Sequence, residues 1–198
     1  MGCTACRWAN LYMPCSGRLT PNEEIAGFLA GTRPDDRGRY LRQIQQWPDE
    51  RLEHVHDFIQ WMFPLQERSA VNPEAPVLDA ATIAEIRSDR SSQENLRISF
   101  HRMLAFYGLQ VMPESELRVG CARNFGQRAA NWLSGGNHNH LRITRIIKSL
   151  NLLGMEAEAR ALLECLKGIY EEERKKPSSS ISERTFRFWS LAAEDPLE

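Results

Sequence analysis

The chain has 198 residues, 42% of them hydrophobic and 26% charged, with 25 basic side chains against 26 acidic ones. That length and composition can bury one sizeable core, and the near balance of charge excludes a net field drawing the whole molecule to nucleic acid or anionic lipid. The longest apolar runs fall far short of the roughly 20 residues needed to cross a bilayer, and no basic start leads into a signal-peptide core, so an intracellular, cytoplasmic protein is expected.

The N-terminal segment, 1–19, holds Cys3, Cys6 and Cys15. Cys3 and Cys6 form a CxxC that could supply half a zinc site or a redox pair, but no second CxxC follows, and Cys121 and Cys165 lie far away without paired spacing. A disulfide framework is not expected. The Met1-Gly2 start resembles an acylation signal, except that Cys6 stands where a Ser or Thr is needed. The segment reads as a poorly ordered terminus with free thiols.

The first helix signal is Thr20-Pro21 with Glu23, a capping box with Pro in the first turn, and the helix should run to about Gly31. A polar turn over Arg33 to Gly38 leads to a short helix holding Tyr40, Leu41, Ile44 and Trp47. Pro48 then opens a helix that the periodicity carries to Phe63. Asn72-Pro73 and Ala75-Pro76 keep the next residues extended or turned, because each Pro biases its predecessor away from helical angles. Asp79 can cap a helix carrying Ile83 and Ile86, and Ser91 with Glu94 marks a longer one with Leu96, Phe100, Met103, Leu104 and Tyr107, ended by Gly108.

A looser stretch to Gly136 should hold a short helix near Asn124 to Leu133. Two strongly periodic helices follow, one stacking Ile143, Ile146, Ile147, Leu150 and Leu153 before Gly154, the next carrying Met155, Ala159, Leu162, Leu166 and Tyr170. Pro177 and Ser178 to Ser180 read as a linker before a last amphipathic helix with Phe186 and Trp189, capped from Ser180 or Ser182. No segment sustains period-two alternation. The chain is therefore expected to be all-α, an irregular bundle of about seven to nine helices, with a domain over 20–175 and a linker plus docking helix over 176–198.

Two blocks stand out: RLEHVHDFIQWMFPLQERSAVNPEAPVL from Arg51 to Leu78, and NHNHLRITRIIKSLNLLG from Asn137 to Gly154. Together they resemble the signature of the opioid growth factor receptor conserved domain, over about Gln43 to Lys175. The resemblance implies a receptor-like domain that in animal relatives takes a short enkephalin peptide, restrains proliferation and associates with the nucleus. As the chain ends soon after the domain, it resembles a minimal or microbial member. His140 departs from the Asn that the resemblance would place before the LRITR run.

If Leu52 to Phe63 form one helix, the apolar residues cover about half its circumference, and His54 and His56 diverge by roughly 160°. They then cannot share a metal, since helical ligand pairs need a spacing of three or four. A four-histidine zinc site from His54, His56, His138 and His140 is thereby disfavoured. His54 is expected to be buried and neutral, with one ring N–H on a backbone carbonyl; His56 and Gln60, four apart, share a boundary face. Neither a metal nor a cofactor is expected.

From Leu117 to Met155 there is no Asp or Glu, against Arg118, Arg123, Arg128, Arg142, Arg145 and Lys148. Arg145 and Lys148 should be exposed, while Arg142 borders the apolar stripe and could meet a buried carboxylate or a ligand. The bland alternative is a solvated basic face balanced by the acidic Glu156 to Glu173 helix. The favoured reading is a helical module binding a peptide or protein segment, acidic or carboxylate-bearing, through His56, Gln60, Trp61, Asn72, His138, Asn139, Arg142 and Arg145. Trp61 and Asn72 serve equally as fold determinants. An enzyme using His56 or His138 as general acid/base beside Arg142 is the alternative, though no nucleophile motif or phosphate-binding loop occurs. Nucleic-acid binding through Arg145 and Lys148 is a third.

Overall fold

The computed structural model describes residues 20–69, 72–113 and 116–194. The expectations for Cys3, Cys6 and Cys15 lie outside these residues. In chain order the elements are α1 (Pro21–Leu29), α2 (Leu41–Gln45), α3 (Asp49–His54), α4 (Ile59–Met62), α5 (Ala80–Ser88), α6 (Arg90–Tyr107), β1 (Leu109–Val111), β2 (Val119–Cys121), α7 (Phe125–Ala129), α8 (His138–Leu152), α9 (Glu156–Glu173) and α10 (Glu183–Ala192). The all-α reading holds, with ten helices among the described residues. The exception is the β1–β2 hairpin, antiparallel with Gln110 opposite Gly120; three-residue strands are too short to show alternation.

Local chemistry fixes most helix starts. Thr20 and Glu23 make the reciprocal capping box on α1, and Asp79, Asn137 and Ser182 each accept a backbone N–H at the first turn of α5, α8 and α10. α6 differs from the sequence expectation. Its cap is Asp89, which accepts from Ser92 N at 2.7 Å, so the helix begins before Ser91. It ends where Gly108 takes a φ of 77°, a conformation favouring glycine, and any Cβ there would also meet Phe125 Cα at 2.9 Å.

The larger correction is at the first signature block. The expected helix from Pro48 to Phe63 is two short helices, α3 and α4, separated by extended backbone at Val55 (φ −92°, ψ 130°). One straight helix would have to bury apolar groups over half its circumference, more than one packed face can cover. Breaking it lets Leu52, Phe58, Ile59, Trp61, Met62 and Phe63 all enter the core. Ion pairs hold the break from outside: Arg39 Nη1 lies 2.8 Å from Asp57 Oδ1 while its Nε reaches Asp35 Oδ2 at 2.6 Å.

A single apolar cluster runs from Ile25 and Phe28 in α1 through Phe100 and Phe106 in α6 to Ile146, Leu150, Leu166 and Trp189. α8 is the central rod, packing on α9 and α10. Trp189 is fully buried and donates its indole N–H to His140 O at 3.1 Å, which seats α10 on α8. Among the described residues no helix is long and apolar enough to cross a membrane.

Candidate functional site

The first turn of α8 is set by Asn137, whose Oδ1 accepts from Asn139 N at 2.9 Å while its Nδ2 donates to Asn131 O and Ser134 Oγ. This brings three consecutive turns of α8 against the first signature block. Asn139, completely buried, donates to Glu53 Oε2 at 3.1 Å and accepts from Arg142 Nη1 at 3.2 Å. Arg142 donates to the carbonyls of Leu52 (3.0 Å), Val55 (2.9 Å) and Glu53 (3.4 Å). One turn on, Arg145 donates to Phe63 O at 3.1 Å, and a further turn on Lys148 lies 2.5 Å from Glu67 Oε1.

The spacing of three along α8 thus places two guanidinium groups at the C-terminal ends of α3 and α4. Neither short helix has a side-chain N-cap, and their last carbonyls carry partial negative charge, which a cation at that end relieves. Arg142 is buried and Arg145 half-buried rather than exposed. Among the described residues neither guanidinium makes an ion pair with a carboxylate.

Arg142 Nη2 also lies 3.0 Å from His56 Nδ1. A guanidinium nitrogen can only donate, so His56 Nδ1 accepts and its ring proton sits on Nε2. The His138 ring meets His56 edge-on with centroids 5.1 Å apart, and its Nε2 is 3.4 Å from Glu53 Oε1. Burial, then the Arg142 charge, lowers the His138 pKa, with Glu53 opposing.

Next to this cluster is a cavity of about 360 Å³ bounded by α4, the chain after it and α8. Its cationic walls are Arg68, Arg142, Arg145 and Lys148, against one carboxylate, Glu67. Ile59, Leu65 and Leu141 make the apolar part. Gln60 lines it too, only 4% exposed, and its Oε1 has no hydrogen-bond partner among the described residues. A larger groove of about 740 Å³ between the Glu116 to Val119 segment and α9 balances Arg118 and Arg160 against Glu116 and Glu164, and no buried unpartnered side-chain atom is found among its lining residues.

The structure therefore brings His56, Gln60, His138, Arg142 and Arg145 to one cavity, with Asn139 buried behind it rather than exposed. Trp61 and Asn72 lie elsewhere. Trp61 is buried at 2% exposure with its ring edge-on to Phe28 at 5.4 Å, a core contact. Asn72 belongs to a turn in which its N–H donates to Ser69 Oγ and its carbonyl accepts from Ala75 N. His54 is exposed, not buried, because α3 ends there; its Nδ1 bonds Glu50 O at 2.7 Å. The divergence of His54 and His56 computed on one helix does not apply, and His56 meets His138 instead. Among the described residues no three His, Cys, Asp or Glu side chains converge as a metal site. His140 is in the core, its Nε2 donating to Trp132 O at 2.9 Å.

Sequence reasoning missed Glu53, Glu67 and Leu141. Leu141, 67% exposed, falls off the Ile143 stripe, and an apolar residue on the polar side of a regular amphipathic helix was the available signal. Glu53 and Glu67 sit in an ordinary polar context and carried none.

The family model described as the opioid growth factor receptor conserved region matches residues 33–194. The opioid growth factor receptor of Homo sapiens is 41% identical over 159 residues, covering 76% of this chain and 23% of that protein. The Mus musculus receptor is 41% identical over 57% of the chain and 18% of its own length. Opioid growth factor receptor-like protein 1 of Mus musculus is 35% identical over 63% of the chain and 26% of its own length. The chain thus spans about a quarter or less of these relatives. No solved structure matches it.

Proposed function

The chain belongs to the opioid growth factor receptor conserved-region family, and on that footing we propose that its helical domain is a binding module whose ligand site is the cavity between α4 and α8. The ligand is a peptide or protein segment bearing a carboxylate. One observation carries this reading: both signature blocks wall one cavity with four cations to one carboxylate and a buried amide oxygen without a partner among the described residues. Low-dielectric walls strengthen such a field and favour an anion. The relatives are named as receptors, which agrees with binding rather than catalysis.

The test is titration of the isotopically labelled protein with a set of short acidic, free-carboxylate peptides, followed by NMR. Binding should perturb Gln60, His138 and Leu141 and weaken as salt rises. Lys148→Glu should lower affinity about tenfold while leaving the fold intact, because its ion pair with Glu67 is exposed and contributes little to stability. Perturbations confined to the α9 groove, or binding insensitive to Lys148→Glu, would remove the proposal.

A further inference from the structure

The two cysteines within the described residues are far apart along the chain, and the fold brings them together. Cys121 is the last residue of β2. Successive side chains of a strand alternate between its faces, so Cys121 shares a face with Val119, a buried residue that lines the groove beside α9. On α9 the opposing ridge is Ala157, Ala161, Cys165 and Gly168, which recur at helical spacing and line the same groove. β2 packs directly on α9. Within this contact the Cys165 thiol donates a hydrogen bond to the Cys121 sulfur.

Both backbones are held. Cys121 lies opposite Leu109 in the hairpin, the following residue Ala122 donates its N–H to Gly108 O at 2.8 Å, and Cys165 is in the interior of the 18-residue α9. A disulfide needs two Cβ atoms aimed at each other across a short gap, and thiols that already share a hydrogen bond meet that condition.

The pair is asymmetric. Cys121 is exposed and Cys165 half-buried. Burial, with the neighbouring Cys121 adding to it, pushes the Cys165 thiol up to about 12. Burial also raises the Cys121 thiol, but there the hydrogen bond from Cys165 works the other way. The outer sulfur therefore ionises first and meets reagents from solvent, and the inner one resolves the product.

We infer that Cys121 and Cys165 are a dithiol modification site, oxidised to an intramolecular disulfide by a low-molecular-weight disulfide, and that the new bond ties the β1–β2 hairpin to α9. The Cys121 thiolate attacks one sulfur of the reagent, whose S–S bond breaks and releases one small thiolate, which takes the proton of Cys165. The Cys165 thiolate then attacks the Cys121 sulfur, the mixed disulfide breaks, and the second small thiolate leaves and takes a proton from solvent, equivalent to the one Cys121 lost. Two protein thiols are oxidised and one reagent disulfide is reduced to two thiols. The bond closes a loop of about 45 residues containing α7 and α8, which restricts the unfolded chain.

The test treats the full chain with glutathione disulfide under mildly alkaline conditions, traps the remaining thiols by alkylation and digests with trypsin in the absence of reductant. Cys121 and Cys165 fall in separate tryptic peptides, 119–123 and 161–167, each with one cysteine. Mass spectrometry should find these two joined as the main oxidised product and separated again by dithiothreitol. The same treatment in concentrated urea should scatter the pairing over all five cysteines. The linked protein should melt roughly 5–10 °C above the reduced one. Cys165→Ala should instead accumulate glutathione on Cys121 and show no such rise. A main native product in which peptide 119–123 keeps its glutathione, or is joined to one of the cysteines of 1–19, overturns the inference. So does a linked protein that melts below the reduced one, because the fold would then have to distort to make the bond.

Discussion

At the residue scale the two histidines of the second block do different work from what their pattern suggests. His140 sits in the core between Trp132 and Trp189, with ring centroids at 6.4 and 5.6 Å, and donates to Trp132 O. Burial lowers its pKa, only partly opposed by that bond, and His138 is lowered mainly by burial and by Arg142. The native state thus favours both rings neutral. Above the unfolded value of about 6.5 neither state gains a proton and the full stability is present. As pH falls below it, the unfolded chain takes up protons the native state refuses, so stability declines until pH passes the lowered native values. The urea midpoint should therefore drop between about pH 7.5 and 5.5. His140→Gln, which can still donate to Trp132 O, should show a smaller drop. An unchanged midpoint in the wild type would contradict the assignment. The burial of His140 was not legible in the string NHNH, because which ring enters the core depends on where Asn137 starts α8.

At the element scale, the reliable signals were those closed within one turn. Thr20 with Glu23, Asp79, Ser182, Gly108 and Gly154 all act at short range, and the helix ends they mark were readable. The division of the first block into α3 and α4 was not, since no Pro or Gly marks Val55 to Phe58 and the forces that break the helix come from Arg142 and Arg39 far along the chain. The half-circle spread of apolar residues was the one local sign. α10 shows the other side of this, a helix legible by periodicity whose anchor is a long-range contact. Trp189→Phe removes the indole bond to His140 O and should cost about 1 kcal/mol; Trp189→Ala, which also leaves a cavity, about 3–5 kcal/mol, both read by denaturant unfolding. A cost below about 1 kcal/mol for the alanine variant would mean that α10 is not part of the cooperative fold.

For the whole molecule, the long helices α6, α8 and α9 make a frame, and the walls of the cavity are built from what that frame holds: two short helices without side-chain N-caps, kept in place by guanidinium groups of α8. The two signature blocks are therefore one unit, with the second supplying the ends the first lacks. Lysine cannot reproduce the fork of Arg142, which serves the carbonyls of Leu52, Glu53 and Val55 together with His56. Arg142→Lys should lower stability by about 2–3 kcal/mol, the scale of losing charged hydrogen bonds at buried carbonyls. Native-state hydrogen exchange separates how that loss is distributed. Protection of the amides of Trp61, Met62 and Phe63 should fall more than that of Leu162 and Leu166 in α9, because the α3–α4 block opens on its own once the clamp is weakened. Equal loss at both would show instead that the block unfolds only with the frame.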